Sequence, residues 1–500
     1  MPEARSRQAG QVRLADPTGK WVLGTAVLGS AMALLDGTAV NVALPHIGKD
    51  LNASLAALQW VVNAYLLTLA GLILLGGALG DRYGRRRVFV IGVTWFALAS
   101  AVCGLAPNIE VLIAARALQG VGGALLTPGS LSLLQAVFRP EDRARAVGLW
   151  SGLGGVSGAL GPLLGGWLVG GPGWRWVFLI NLPLAVIAVA VALRHVPENR
   201  DETATGRFDM LGAGLAALTL GALTAALTSG HGLAPWAGAL ALVGGVAFYL
   251  TERRAHTPIL PLDLFSARVF GMVNLATVLI YGGLSGILFF LVLQLQITAG
   301  FSPLMAGLGT MPLTVLMLLL SSRAAQLGER IGPRIPLTVG PLLAAAGLLL
   351  MLRIGPGASY LVDVLPASVL LGLGMTLLVA PLTATALNAV ETRRAGLASG
   401  VNNAAARTGS LLVVAALPAL VGLSGEEYRS GAAVNSAFHR AVWVCAGLMT
   451  AAGVLSWFTM PGAAAPVAGA PRRGALPSID QPCRGTDCAE SVDTEGSEAA

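Results

Sequence analysis

Apolar stretches of about 20 residues, the length that crosses the hydrocarbon of a bilayer, recur along the whole chain between short polar turns. Windows of that length predict spanning helices at about 21–44, 56–78, 88–106, 110–137, 145–170, 176–193, 210–229, 234–251, 271–297, 304–322, 335–353, 361–386, 396–422 and 436–459. The seventh and eighth are the weakest of the fourteen, because Gly and Ala dilute their hydropathy. The pattern is that of an all-α polytopic membrane protein.

Composition removes the alternatives. Charged residues make up 11% of the chain, hydrophobic ones 55%, and the mean hydropathy is +0.73. A soluble domain carries about 25% charged residues, so a surface this poor in charge cannot face water. The 65 Gly and 27 Pro fit membrane helices, where both are commoner than in soluble ones. The net charge of +7 arises from 30 Arg and only two Lys, Lys20 and Lys49, a ratio typical of a GC-rich bacterial genome.

These cations lie in turns between apolar spans, which points to topology rather than to nucleic-acid binding. With the N-terminus in the cytoplasm, 25 of the 32 cations fall on that side, five fall on the other, and Arg116 and Arg407 lie within spans. The expected location is the bacterial inner (plasma) membrane, with both termini cytoplasmic. Residues 1–20 carry no cleavable signal pattern, so the first span is expected to serve as an uncleaved anchor. Cys103 and Cys445 sit in apolar segments, and the lone pair Cys483 and Cys488 is too little for a metal site.

A repeat at an offset of 248 residues organises the chain. Leu79-Gly80-Asp81-Arg82-Tyr83-Gly84-Arg85-Arg86 is answered by Leu327-Gly328-Glu329-Arg330-Ile331-Gly332-Pro333-Arg334. In the same register Arg145, Gly148, Leu149, Ser151, Gly152 and Gly161 recur as Arg393, Gly396, Leu397, Ser399, Gly400 and Gly409. Span two thus matches span ten, and span five matches span thirteen. The expected organisation is an N-terminal tail (1–20), a six-helix half (21–193), two inserted helices with flanking linkers (194–268), a second six-helix half (269–459) and a disordered tail (460–500). Parallel halves of this kind mark a secondary transporter whose substrate site lies between them at mid-membrane.

Intramembrane charge is the strongest pointer to chemistry. Asp36, in Leu35-Asp36-Gly37-Thr38-Ala39-Val40-Asn41-Val42-Ala43-Leu44-Pro45, is the one carboxylate deep within a span. Burial there disfavours its charged form, which equips it to load and release a proton; a structural Asp bonded to Thr38 or Asn41 is the bland alternative. Arg116, one to two turns into span four, either tunes the protonation of Asp36 or holds helix-end carbonyls. In the tight turn Gly77-Ala78-Leu79-Gly80-Asp81-Arg82-Tyr83-Gly84-Arg85-Arg86-Arg87, Asp81 is placed to pair with Arg85 or to meet a helix N-terminus of the other half, as a gate latch. Ser157-Gly158-Ala159-Leu160-Gly161-Pro162-Leu163-Leu164-Gly165-Gly166 permits close helix approach, with a bend at Pro162.

The candidates for substrate contact are Asn41, Trp60, Asn63, Tyr65, Tyr281, Gln294 and Gln296, although aromatics near span ends are more often interfacial anchors. No phosphate-binding loop of an ATP motor is present, and no clustered ligands point to a metal centre. The chain therefore reads as a transporter rather than an enzyme. It needs no cofactor and has the proton gradient as its energy source, with protons, lipid and a small-molecule substrate as its partners.

Together these blocks resemble the major facilitator superfamily, specifically its fourteen-helix drug:proton antiporter branch, over about residues 20–460. Residues 77–87 are similar to the gate motif of that superfamily, and 112–123 to the basic motif of helix four. Gly161-Pro162 with Gly165-Gly166 is similar to the antiporter motif of helix five, and Asp36 to Pro45 to the first-helix motif of the drug exporters. Residues 174–183 and 296–307 are further blocks of the branch. The resemblance implies multidrug efflux by alternating access, with Asp36 and Arg116 in proton coupling. Ser157 and Pro333 depart from the motifs, and span thirteen holds Arg407 and no acid. The expected exchange is therefore one proton for a neutral or monovalent cationic lipophilic compound rather than for a dication. A dedicated exporter of one endogenous compound, and a non-transporting sensor on a transporter fold, are the alternatives.

Overall fold

A computed structural model describes residues 12–199, 209–228, 232–255, 258–391 and 394–462. The chain divides into two compact units, residues 1–463 and 464–500, and every described helix belongs to the first. Residues 1–11, the linker 200–208, and the predicted tail from 463 onward with Cys483 and Cys488 lie outside the described residues.

Among the described residues, fourteen helices are long and apolar enough to cross a membrane: α1 Pro17–Asp50, α2 Leu55–Tyr83, α3 Arg85–Gly104, α4 Ile109–Val137, α5 Glu141–Gly170, α6 Trp176–His195, α7 Met210–Thr228, α8 Ala234–Arg254, α9 Arg268–Thr298, α10 Pro303–Ile331, α11 Arg334–Arg353, α12 Tyr360–Asn388, α13 Gly396–Leu420 and α14 Gly431–Thr459. Each coincides with a predicted span, and most run some residues past the apolar window. The reason is capping. Ser54, Asn108 and Ser302 accept from the backbone N–H of Ala57, Val111 and Met305, satisfying donors that the helix leaves open. α1 begins at Pro17, a residue suited to the first helical turn, so the predicted N-terminal tail is shorter than 1–20.

Packing repeats with the sequence. α1 lies against α5 and α6, α2 against α4, and α3 against α4 and α6; eight helices later, α9 lies against α13 and α14, α10 against α12, and α11 against α12 and α14. The turns that follow α2 and α10 are equivalent as well. Gly84 (φ 106°) and Gly332 (φ 78°), 248 residues apart, both adopt backbone conformations that side-chain-bearing residues avoid.

Two seams, α2 with α13 and α5 with α10, join the halves, and the repeat interchanges them. α7 rests on α2 and α13, and α8 packs on α7. α8 leaves Trp236, Leu242 and Val243 exposed, a face suited to lipid. In the linker that follows α8, Asp263 pairs with Arg394 at the start of α13. The bond from Arg394 holds the Asp263 carboxyl below the usual carboxylate range.

The bundle has a basic face, which holds the start of α1 and the end of α14, and a far face. Hydrogen bonds tie the halves together near the far face. Gln59 donates to the carbonyls of Val414 and Ala415 (both 2.8 Å), Tyr428 to Ala53 (2.8 Å), Arg429 to Asn52 (2.7 Å) and Gln296 to Val42 (2.9 Å).

Candidate functional site

Asp36 and Arg116 meet although 80 residues separate them. α1 and α4 bring Arg116 Nη1 to 2.5 Å from Asp36 Oδ2, and each residue is only 1% exposed. Three uncharged side chains complete the coordination. Gln119 donates to Asp36 Oδ1 (2.8 Å) and accepts from Arg116 (2.7 Å). Asn181, on α6, donates to Asp36 Oδ1 (3.4 Å) and to Ser100 Oγ (3.0 Å). Ser100, on α3, donates to the Phe178 carbonyl (2.9 Å). Arg116 also donates through Nε to the Val61 carbonyl (2.9 Å), and its guanidinium lies 4.4 Å from the centroid of the Tyr65 ring.

One acid, one base and three amide or hydroxyl groups from four helices thus form a closed network. Breaking a buried pair by removing one partner typically costs about 3–5 kcal/mol, because an uncompensated charge remains. Protonating Asp36 has the same local consequence: Arg116 loses its counter-charge and the network must rearrange. The site is therefore built so that a proton on Asp36 changes how α1, α3, α4 and α6 hold together.

Sequence reasoning singled out the two charges and missed Ser100, Gln119 and Asn181. The available signal for Gln119 was its spacing, three residues after Arg116 and hence on the same helix face. Thr38 and Asn41, the partners offered by the structural alternative, bond instead to carbonyls of their own helix.

Arg116 also lines a central cavity of about 340 Å³ between the halves. α1 contributes Leu34, Thr38 and Asn41, α2 contributes Val62, Tyr65 and Leu66, and α9 and α13 supply Ser285, Phe289, Asn403, Arg407 and Val414. The cavity ends at the far-face seam, since Val414 both lines it and accepts from Gln59. Among the predicted contacts, Asn41 and Tyr65 line this cavity, whereas Trp60, Asn63, Tyr281 and Gln294 do not. Gln294 instead donates to the Ile354 carbonyl and to Asn435 (both 2.7 Å), as a cross-brace within its own half. Asn63 is fully buried, and its amide has no partner among the described residues. Gln296 lines a second cavity of about 570 Å³ at the far face, with His46, Lys49, Tyr428 and Arg429.

The gate motif has local partners. Arg85 donates to Asp81 through Nη2 (2.8 Å) and Nε (3.0 Å), and Arg86 reaches the Val196 carbonyl (3.0 Å) and Glu198 (3.6 Å) beyond α6. These bonds lie within the first half. Gly77 has room for a methyl group, with Pro128 3.7 Å away, whereas a Cβ on neighbouring Gly76 would sit 2.0 Å from the Ala124 carbonyl oxygen. The close helix approach therefore belongs to Gly76. Arg82, a further basic residue of the motif, sits at the end of α2 with its guanidinium 5.5 Å from the Tyr83 ring centroid.

The helix-five motif seats α5 between α1 and α10. A Cβ on Gly161 would fall on Thr38 Oγ1, one on Gly165 would come within 2.9 Å of Ala39, and one on Gly166 would lie 2.5 Å from the Pro303 carbonyl oxygen. The Pro162 carbonyl oxygen occupies the space that a Cβ on Gly307 would need (2.2 Å).

The Major Facilitator Superfamily profile matches residues 26–414. The puromycin resistance protein of Streptomyces alboniger is 38% identical over 80% of this chain and 82% of its own. The multidrug resistance protein Stp of Mycobacterium tuberculosis is 36% identical over 78% and 73%. Among solved structures, a peptide transporter POT bound to sulfate superposes with a TM-score of 0.67 over 90% of this chain and 97% of that one. At 14% identity it supports the fold alone.

Proposed function

The chain belongs to the Major Facilitator Superfamily, and on that premise we propose that it is a proton-coupled exporter of lipophilic small molecules, a drug:proton antiporter that works by alternating access. The observation that carries this reading is the buried Asp36–Arg116 pair, whose base lines the cavity between the halves. Asp36 takes a proton from the outer side, and its release to the cytoplasm accompanies capture of cargo. The cation count makes the basic face cytoplasmic, with both termini there and the protein in the bacterial inner membrane.

In this conformation the far-face bonds close the outer side, and Asp81 is held by Arg85 within its own half. A latch from Asp81 to the second half then belongs to the opposite conformation, with the cytoplasmic side shut. The energetics are sufficient: one charge crossing 100 mV is worth about 2.3 kcal/mol, and a tenfold gradient about 1.4 kcal/mol. A single proton sustains an outward gradient of more than one order of magnitude.

The relatives favour a second reading beside the first, since one is described as a multidrug protein and the other by a single drug, puromycin. Growth inhibition of a pump-deficient host by ethidium, puromycin and a panel of unrelated lipophilic compounds separates them. Expression is expected to raise the inhibitory concentration severalfold for several chemical classes. Protection against one class would mean a dedicated exporter, and protection against none, with no cargo-linked proton movement, would sink export altogether.

A further inference from the structure

The central cavity is lined by two guanidinium groups and by no carboxylate. Arg116 is neutralised from behind by Asp36. Arg407, on α13, is not: among the described residues it makes no hydrogen bond and no ion pair. A charged side chain at this depth is costly unless something meets it, and the proton chemistry of the first half makes no use of it.

Resting on the export reading, we propose that Arg407 is the recognition group for an acidic cargo: an amphiphile with an apolar body and one carboxylate, phenolate or sulfonate ionised at neutral pH. The walls suit such a molecule. Leu34, Leu66 and Phe289 supply apolar surface, while Asn41 and Asn403 offer hydrogen bonds beside the guanidinium. A planar carboxylate matches the guanidinium fork in two parallel bonds. Neutral compounds use the apolar walls alone, and acidic ones add this charge-assisted contact.

The far-face cavity supports the same assignment independently. It presents Lys49 and Arg429 and again no carboxylate in its lining. Arg429 is partly offset by Glu426 at 3.5 Å, but Lys49 has no ion pair among the described residues. Cargo leaving toward the far face passes from one cationic chamber to the next. Such an arrangement attracts an anion along its path.

Binding of 7-diethylaminocoumarin-3-carboxylate and of its carboxamide to the purified full-length protein, read by fluorescence anisotropy, separates charge from shape. The carboxylate is expected to bind about tenfold or more tightly than the carboxamide, the effect of one charge-assisted hydrogen bond. Arg407→Gln is expected to bring that ratio to about one, and Arg407→Lys, which keeps the charge but loses the fork, to retain part of it. The Lys variant also guards against a folding artefact. Equal affinity of the two dyes for the wild type, or an undiminished preference in Arg407→Gln, overturns the proposal. Efflux of the neutral carboxamide from energised cells identifies which idea has failed. Efflux intact without a carboxylate preference sinks the acidic cargo alone, while absence of both takes the export reading with it.

Discussion

Asp36→Asn is expected to reduce uncoupler-sensitive dye efflux from energised cells to the level of cells lacking the protein, at equal abundance in the membrane. An amide keeps the shape of the carboxyl group, and its single oxygen still accepts from Arg116, but its nitrogen replaces the oxygen that accepts from Gln119, so the network of α1, α3, α4 and α6 survives only in part. What it cannot do is carry a proton. The buried guanidinium also loses its counter-charge, for which truncation of a buried pair sets a scale of about 3–5 kcal/mol. Abundance therefore has to be measured beside efflux. The double variant Asp36→Asn with Arg116→Gln separates the two effects: it is expected to recover abundance, because neither charge is left alone, and to remain inactive. Efflux kept by Asp36→Asn would place coupling elsewhere and leave Asp36 a structural residue.

The second large effect is expected at the seam of α5 and α10. The atoms that a Cβ on Gly166 or Gly307 would strike are backbone carbonyl oxygens, of Pro303 and of Pro162. Neither obstacle is a flexible side chain able to swing aside. Gly166→Leu or Gly307→Leu is therefore incompatible with the present approach of the halves near the far face. Overpacking of this kind costs about 1–3 kcal/mol, and the upper value shifts a two-state equilibrium more than about a hundredfold. The variants are expected to fold, to stay open at the far face and to lose transport. An impermeant maleimide applied from the far face should then label Ser285→Cys, which lines the central cavity, faster in the Gly166→Leu background than in the otherwise native one. Equal labelling with normal efflux would show that this seam does not close during the cycle.

Hydropathy alone made the fourteen helices legible, because each must hide its backbone from lipid and so needs its own apolar run. The repeat made the two halves legible. The lone charges at 36 and 116 stood out for the same energetic reason. Their partnership did not, since it depends on where α1 and α4 lie side by side. Ser100, Gln119 and Asn181 were hidden more deeply. Uncharged polar residues are common in membrane interiors, and nothing in their local sequence distinguishes a proton-site ligand from a packing contact.

The substrate candidates show the limit most clearly. Gln294 was attractive as a polar residue in span nine, yet the structure spends it on Ile354 and Asn435. Arg407 drew notice as a cation within a span that holds no acid, and it is a charge that the cavity exposes. Whether a side chain faces the cavity or braces a neighbour is set by helix rotation, to which composition and spacing are blind.

The most direct test of the account is proton movement coupled to cargo. In respiring inside-out vesicles that contain the protein, the acid interior quenches a pH-sensitive acridine. Adding the neutral coumarin carboxamide is expected to restore fluorescence as protons leave in exchange for cargo, and vesicles with Asp36→Asn at equal abundance are expected to show no response. Cargo accumulation by the wild type with no proton movement, or full recovery in Asp36→Asn, would contradict the assignment of Asp36 as the proton carrier.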